Sequence, residues 1–163
     1  MGNRPESDRR KAGRSDRGFS LLELVFVMAI MAILAAIAVP RYGQAIARHQ
    51  VAMAARRVAA DLEYAAARAG TSSSSLTVVF SPGANRYQMS GVPDLRDPSR
   101  DYTVVLTDSP FRSSMASADF GGDSSIVFNG YGVPDSGGTV VVTCGSYRKS
   151  IVLNAQTGKA RVQ

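Results

Sequence analysis

Apolar residues cluster into one long run near the start of the chain. Leu24–Val39 is an unbroken run of 16 apolar residues, and extending it back to Phe19 gives 21 residues interrupted only by Ser20 and Glu23. At about 1.5 Å per residue, a helix of this length spans about 30 Å, the hydrocarbon thickness of a bilayer. The pattern therefore predicts a membrane-spanning helix over 19–39.

Residues 41–69 are rich in alanine, arginine, leucine and glutamate, which favour helix. Charged residues such as Arg57 and Asp61 fall mostly off the apolar stripe of this stretch. We predict one helix from about Phe19 to Ala69, kinked near Pro40 and ended by Gly70. The apolar residues that recur every three or four positions are Val51, Ala55, Val58, Leu62, Ala65 and Ala69.

Beyond Gly70 the pattern changes to short β-rich runs separated by turn residues. Loops are expected over 71–75 and 91–101, and a long polar excursion with some helix over 108–125. Antiparallel sheets with a long N-terminal helix predict an α+β architecture. The predicted strands are Leu76–Phe80, Arg86–Ser90, Tyr102–Thr107, Ile126–Asn129, Thr139–Thr143, Arg148–Asn154 and Gly158–Val162.

The positive charge of the chain is concentrated at its start. The formal net charge is +6, and residues 1–18 hold six Arg or Lys and three acids, which contribute +3 of it. The remainder is only mildly basic, so overall charge does not by itself argue for nucleic acid binding. A basic arm before an apolar helix predicts a cytoplasmic arm and a C-terminal body on the other side of the membrane.

Glu23 is a carboxylate within the apolar run and needs a partner. Insertion there costs about 2.5–3.5 kcal/mol on lenient scales, although a position near the helix start softens this cost. If the chain is cut between Gly18 and Phe19, the new α-amine of Phe19 can meet Glu23 of a neighbouring parallel copy. Since desolvation cancels much of the attraction, such a pair would mainly fix the register between subunits.

The segment "RGFSLLELVFVMAIMAILAAIAVP" resembles the class III signal of type IV prepilins and type II secretion pseudopilins. Gly18 matches the residue before the cleavage site, Phe19 the new N-terminus, and Glu23 the acidic residue four positions later. Pro40 matches the position where that family commonly kinks its helix. The resemblance implies cleavage by a prepilin peptidase, N-methylation of Phe19, and assembly into a filament rooted in the inner membrane.

The C-terminal stretches "SIVFNGYGVPDSGGTVVVTC" and "RKSIVLNAQTGKARV" resemble GspH/FimT-type minor pseudopilins and minor pilins. That family ends in a G-R-x-R-like tail, and here the tail is Gly158-Lys159-Ala160-Arg161. Some FimT-type pilins bind DNA through this tail, so the resemblance implies DNA binding by residues 158–161 as an alternative role. Lys159 and Arg161 alternate, so an extended strand would place them on one face, where they could contact phosphates. Alternatively, they protect a solvated edge strand.

Other interpretations of the N-terminal segment leave Glu23 unexplained. A cleaved signal peptide could use the triplet Ala36-Ile37-Ala38, and an uncleaved signal anchor would also insert.

The sequence has one histidine, His49, and one cysteine, Cys144. These counts exclude a metal site built from Cys and His clusters and an intrachain disulfide. We expect no enzymatic activity and no cofactor.

These observations predict four regions. They are a cleaved leader (1–18), a transmembrane and filament-core helix half (19–39), an amphipathic helix half (40–70) and a β-rich globular domain (71–163). The expected function is that of a minor pseudopilin in a type II secretion system. Its expected partners are other pseudopilins or pilins, the prepilin peptidase and the inner-membrane assembly platform. The alternative is a type IV pilus minor pilin that binds DNA in natural transformation.

Overall fold

The computed structural model describes residues 18–95 and 97–163. One long helix, α1 (Leu21–Ser72), precedes all the strands, and the chain divides into two compact units between Pro40 and Arg41. Residues 1–17 of the predicted leader lie outside the described residues. The strands are β1 (Leu76–Ser81), β2 (Arg86–Pro93), β3 (Asp101–Val105), β4 (Ser114–Asp119), β5 (Ser125–Phe128), β6 (Gly138–Cys144), β7 (Tyr147–Leu153) and β8 (Ala160–Val162), with a 3₁₀ turn at Pro82–Ala84.

The strands form two antiparallel four-stranded sheets. The first, sheet A, has the order β3-β2-β1-β5, and the second, sheet B, has the order β4-β6-β7-β8. The predicted α+β architecture of a long helix with antiparallel sheets is therefore confirmed. The kink near Pro40 stays a prediction.

The C-terminal half of α1 contributes one apolar face to the core. All six residues of the predicted stripe are buried, so the helical periodicity is confirmed, and Ala54 and Ala59 widen the buried face. Most of these residues are alanines, whose small side chains let a helix approach a sheet closely. The largest side chains of the core come instead from the strands and the segments after them, including Phe80, Tyr87, Met89, Leu106, Phe128 and Ile151.

The prediction that Gly70 ends the helix is wrong. The helix continues to Ser72, and the hydroxyls of Thr71 and Ser72 donate hydrogen bonds to the carbonyl of Arg68 at 3.0 and 2.8 Å. These hydroxyls add side-chain hydrogen bonds to the last turn of the helix. Ser73, at φ 47°, adopts the left-handed conformation that a glycine would normally supply.

The expectation of a polar, partly helical excursion over 108–125 is also wrong, because β4 lies within it. Met115 and Ala118 are buried or half-buried, but a register shift between Met115 and Ser117 interrupts the alternation of the strand. A bulge of this kind hides the two-residue period from sequence analysis. A second shift, between Met89 and Pro93, carries β2 into the segment expected to be loop.

Candidate assembly helix and C-terminal basic groove

The N-terminal part of α1 has no apolar partner within the described residues. Every side chain from Phe19 to Val39 is exposed, including Phe19 at 79% and Leu21 at 80% of their surface. Among the described residues, α1 is the one helix long and apolar enough to cross a membrane. Apolar surface of this extent requires cover from lipid or from other protein subunits.

The predicted processing residues lie at the start of this helix. Gly18 and Phe19 precede the first helical turn, and an ideal Cβ at Gly18 would meet no atom within 4 Å. Ser20 begins the helix by accepting a hydrogen bond from the Leu22 N–H on its Oγ at 3.3 Å. Glu23 lies exposed in the first turn, where the helix dipole favours a negative charge. Phe19 and Glu23 are therefore at the same end of the helix.

Lys159 immediately precedes β8 and Arg161 lies within it, and the two side chains line the same groove. Both side chains are exposed, whereas Ala160 between them is buried at 8% exposure. Arg161 pairs with Val152 on β7. The two basic residues line a groove of about 400 Å³ together with four other residues. The other lining residues are Val152, Asn154, Thr157 and Gln163.

A tight turn sets the position of Lys159. Asn154 Oδ1 accepts hydrogen bonds from the N–H groups of Gln156 at 2.8 Å and Thr157 at 3.0 Å. Gly158 has φ +65°, and a Cβ there would lie 3.0 Å from the carbonyl oxygen of Gly132. A side chain at position 158 would thus be strained by the backbone conformation and crowded by the neighbouring loop.

Two further basic residues, Arg148 and Lys149, lie on β7, the strand that pairs with β8. Arg148 and Val152 are four residues apart on β7, so they lie on the same face of sheet B, the face that carries Arg161. Lys149 is three residues from Val152, an odd number, so it lies on the other face of sheet B. The register of β7 therefore separates two residues that are neighbours in sequence.

The sequence analysis missed a polar cluster between α1 and sheet A. Asp61 is buried at 7% exposure although its position fell off the predicted stripe. Its Oδ2 accepts hydrogen bonds from Arg57 Nε at 3.0 Å, the Tyr87 hydroxyl at 2.6 Å and the Tyr102 hydroxyl at 2.9 Å. The Arg57 guanidinium also donates to the Tyr102 hydroxyl. The i, i+4 spacing of Arg57 and Asp61, which allows an ion pair on a helix, is the one feature of the sequence that could have indicated this cluster.

The cluster changes the acidity of its members. Burial and the negative charge of Asp61 raise the pKa of Tyr87 well above its usual range. Burial also raises the pKa of Tyr102, with Arg57 opposing and Asp61 reinforcing the change. For Arg57, burial acts against the charged form, but the hydrogen bond to Tyr102 and the charge of Asp61 leave its pKa above the ordinary value. Both tyrosines therefore stay neutral donors to Asp61.

Comparison with known proteins gives the family. The family model described as Type II transport protein GspH matches residues 54–157. The chain belongs to the GspH family. A Prokaryotic N-terminal methylation motif matches residues 13–39, which cover Gly18, Phe19 and Glu23. GspH-family proteins are structural subunits of the minor pilin and pseudopilin group and not enzymes.

Similar proteins are known from Pseudomonas aeruginosa. The structure of the type IV minor pilin FimU superimposes with a TM-score of 0.52 at 13% identity, covering 71% of this chain and 90% of that one. This likeness shows the fold. Two proteins described as "Fimbrial protein" are 49% identical over 47 residues, which is 29% of this chain and 30% of those relatives. The matched segment therefore spans less than a third of the length of these two relatives.

Proposed function

We propose that this GspH-family chain is a minor pseudopilin, a structural subunit of a type II secretion pseudopilus that exports proteins across the outer membrane. The observation that carries this proposal is the exposed apolar segment 19–39, which lies within the match to the methylation motif. A segment of this kind is suited first to a bilayer and then to the core of a filament. The match of residues 54–157 to GspH supports the choice of secretion.

The proposal includes a maturation pathway. The prepilin peptidase removes the leader (1–18) between Gly18 and Phe19 and methylates the Phe19 amine. The chain then spans the inner membrane once through 19–39, with 40–70 and 71–163 in the periplasm. Before cleavage, the basic residues of the leader hold the N-terminus on the cytoplasmic side of the membrane. The inner-membrane assembly platform then moves the subunit into the filament.

Glu23 is proposed to guide assembly. Its carboxylate pairs with the Phe19 amine of a neighbouring subunit, which fixes the stagger of the two helices. Pro40 is proposed to bend α1 where the membrane segment meets the amphipathic half. The exposure of Glu23 in the first turn of α1 supports this role, because the carboxylate lies at the end of the helix that holds Phe19.

Mass spectrometry of the polypeptide purified from native membranes tests the maturation. We expect a chain that begins with N-methylated Phe19, and any other N-terminus would contradict the cleavage assignment. A strain that lacks this chain then tests whether the protein acts in secretion or in a pilus. We expect loss of protein secretion with normal pilus function and DNA uptake; loss of uptake with intact secretion would contradict the secretion proposal.

DNA uptake is the second candidate function, and the basic groove supports it. Lys159 and Arg161 are both exposed along one groove with Asn154, Thr157 and Gln163, whose polar groups could add hydrogen bonds to phosphates. An arrangement of two cations and neutral polar groups suits sequence-independent backbone contacts. In this case the chain would be a type IV pilus minor pilin that binds DNA in natural transformation.

A gel-shift assay with the detergent-solubilised full chain tests DNA binding. The double variant Lys159→Ala/Arg161→Ala should abolish salt-sensitive binding, or lower the slope of log affinity against log salt by about 2. The control Arg100→Ala/Lys149→Ala removes the same charge outside the groove and should bind as the parent does. Equal losses in both double variants, or no binding at low salt, would contradict this candidate.

A further inference from the structure

One end of the folded body is formed where the turn between β6 and β7 meets α1. The Arg48 guanidinium lies over the ring of Tyr147, 4.8 Å from its centroid. The Cys144 sulfur lies 3.4 Å from Oε1 of Gln50 and 3.4 Å from the carbonyl oxygen of Arg112. Cys144 and Tyr147 pair with each other across the turn. These contacts bring α1, the β6–β7 turn and the segment before β4 together.

This end of the body is rich in arginine. Arg41, Arg48, Arg112 and Arg148 are exposed, and we call these four residues the basic end. Among the described residues, none of the four takes part in an ion pair. The carboxylate nearest to any of them in sequence is Asp108, and four cations with this one anion leave a formal charge of +3. A surface of this charge attracts anionic groups.

The part of α1 that carries this charge directly follows the membrane-length segment. The sequence holds no Asp or Glu over residues 24–60, so no acidic residue of that stretch offsets Arg41 and Arg48. Tyr42, beside Arg41, is 72% exposed. Tyrosine and arginine are suited to the place where a helix leaves a bilayer, because each combines an apolar stem or ring with a polar tip that reaches the headgroups.

The basic end is close enough to the membrane-length segment to meet lipid headgroups. Arg48 follows Val39 by nine residues, and nine residues of helix span at most about 14 Å. The headgroups extend about 5–7 Å beyond the hydrocarbon on each side, and the attraction of their charge decays over about 8 Å more at physiological salt. The contacts of the β6–β7 turn bring Arg112 and Arg148 to the same part of α1 as Arg48.

We propose that the basic end binds the anionic phospholipid headgroups of the leaflet that borders Tyr42. This contact holds the body on the membrane surface until the subunit enters a filament. Arginine suits the contact because its planar guanidinium donates two hydrogen bonds to one phosphate group. The inference rests on the membrane span of the proposed function, and it holds for a pseudopilus or a pilus.

Fluorescence quenching in vesicles tests the lipid contact. The full-length chain carries a fluorophore on Ser146→Cys, an exposed position in the β6–β7 turn, and Cys144→Ser leaves that thiol as the only one. The chain is reconstituted into phosphatidylcholine vesicles with or without phosphatidylglycerol, each with a quencher attached to a lipid headgroup. We expect severalfold stronger quenching in the anionic vesicles. Equal quenching in both kinds of vesicle would overturn the proposal.

Flotation of the same vesicles distinguishes this inference from the membrane span on which it rests. A chain that floats with both kinds of vesicle has a membrane span, so equal quenching would then contradict the lipid contact alone. A chain that floats with neither kind would contradict the span, and the inference would fail with it.

Removal of charge identifies the residues that bind. The triple variant Arg48→Gln/Arg112→Gln/Arg148→Gln should lower the ratio of membrane-bound to free bodies by about fivefold for each cation lost, or about a hundredfold in all. Quenching in anionic vesicles should therefore fall to the level seen in phosphatidylcholine. Undiminished quenching of this variant would overturn the proposal.

A matched control removes the same charge elsewhere on the body. Arg100→Gln/Lys159→Gln/Arg161→Gln also loses three exposed cations. Lys159 and Arg161 lie toward the Leu153 end of β7, whereas Tyr147 begins that strand at the basic end. This control should be quenched as the parent is. Equal losses in both triple variants, each with a parental circular dichroism spectrum, would overturn the assignment to the basic end.

Ionic strength provides a measurement that needs no charge variant. Raising the salt concentration from about 0.1 M to about 1 M shortens the screening length from about 10 Å to about 3 Å. Quenching of the labelled chain in anionic vesicles should then fall toward its value in phosphatidylcholine. Quenching that does not respond to salt would overturn the charge attraction on which the proposal depends.

Discussion

The Tyr87 hydroxyl donates a 2.6 Å hydrogen bond to Oδ2 of Asp61, which ties β2 of sheet A to α1. Both residues are buried, and Arg57 and Tyr102 complete the partners of this carboxylate. A buried carboxylate is stable only when its charge is balanced and its oxygens accept hydrogen bonds. The cluster thus fixes how the helix sits on sheet A, and its properties can be measured.

Removing one donor from the cluster should destabilise the body. We expect Tyr87→Phe to lower the free energy of unfolding by about 1–3 kcal/mol, because Asp61 stays buried with one fewer hydrogen bond. Thermal unfolding of the detergent-solubilised chain, followed by near-ultraviolet circular dichroism, measures the change. Tyr131→Phe is the matched control, since Tyr131 is 90% exposed, and its stability should stay at the parental value. Equal stability of the two variants would contradict the assigned role.

Stability should fall in alkaline solution because of the same tyrosine. Burial and Asp61 raise the pKa of Tyr87 in the folded state, while the unfolded chain has the usual tyrosine pKa of about 10. Above that pH the unfolded state releases a proton that the folded state retains, so the free energy of unfolding decreases as pH rises. Measurements between about pH 8 and about pH 11 should show a smaller decrease for Tyr87→Phe than for the parent. Identical pH profiles would show that Tyr87 does not contribute.

The loop at Gly132 requires the absence of a side chain. Gly132 has φ +77°, and a Cβ there would lie 2.5 Å from the carbonyl oxygen of Ala66 on α1. Gly91 has nearly the same φ, +76°, but no atom within 4 Å of an added Cβ. Gly91→Ala should therefore lower the free energy of unfolding by about 1–2 kcal/mol, because of the backbone conformation alone. Gly132→Ala should lower it by clearly more, because the clash adds to that cost. Chemical denaturation of both variants measures the difference, and equal losses would exclude the predicted clash.

Processing should depend on the small residue before the cut. Gly18→Leu is expected to accumulate as an uncut chain, because a bulky side chain would obstruct the peptidase at the bond to Phe19. Immunoblots of native membranes separate the uncut and mature sizes. Gly43→Leu is the control, since it also adds a side chain where no atom lies within 4 Å, but it is remote from the cleavage site. A mature-sized product from Gly18→Leu would contradict the assignment.

Assembly should depend on Glu23 separately from insertion. Glu23→Ala should insert and be cut, yet its share in sheared filaments should fall by about tenfold or more, because the Phe19 amine of the neighbour then lacks its counter-charge. Glu63→Ala removes an exposed carboxylate from the C-terminal half of α1 and should assemble as the parent does. Quantitative blots of filament and membrane fractions measure both. Unchanged incorporation of Glu23→Ala would show that the pairing has no role here.

Patterns that repeat over many residues predicted their structures well. The apolar run 19–39 and the stripe from Val51 to Ala69 each extend over several helical turns, so a helix and its buried face followed directly from periodicity. The turn chemistry around "NAQTG" likewise indicated the β7–β8 connection, and alternation placed Lys159 and Arg161 on one face. In each case the signal comes from neighbours in sequence.

Features that depend on distant residues were not accessible in this way. Asp61 belongs to the core because Tyr87 and Tyr102, 26 and 41 residues later, supply donors, and no local pattern reports that pairing. The strand β4 was hidden by a bulge, and α1 continues two residues past Gly70, to Ser72.

The sequence by itself determined the membrane-length helix, the match to a methylation motif around Gly18 and the α+β class, because hydrophobic periodicity and a contiguous motif are local properties. Only the tertiary structure decided that Asp61 is buried and that Lys159 and Arg161 line one groove. These features arise when strands far apart in the chain pair in a particular register, and the free energy that selects the register comes from the packing of the whole body.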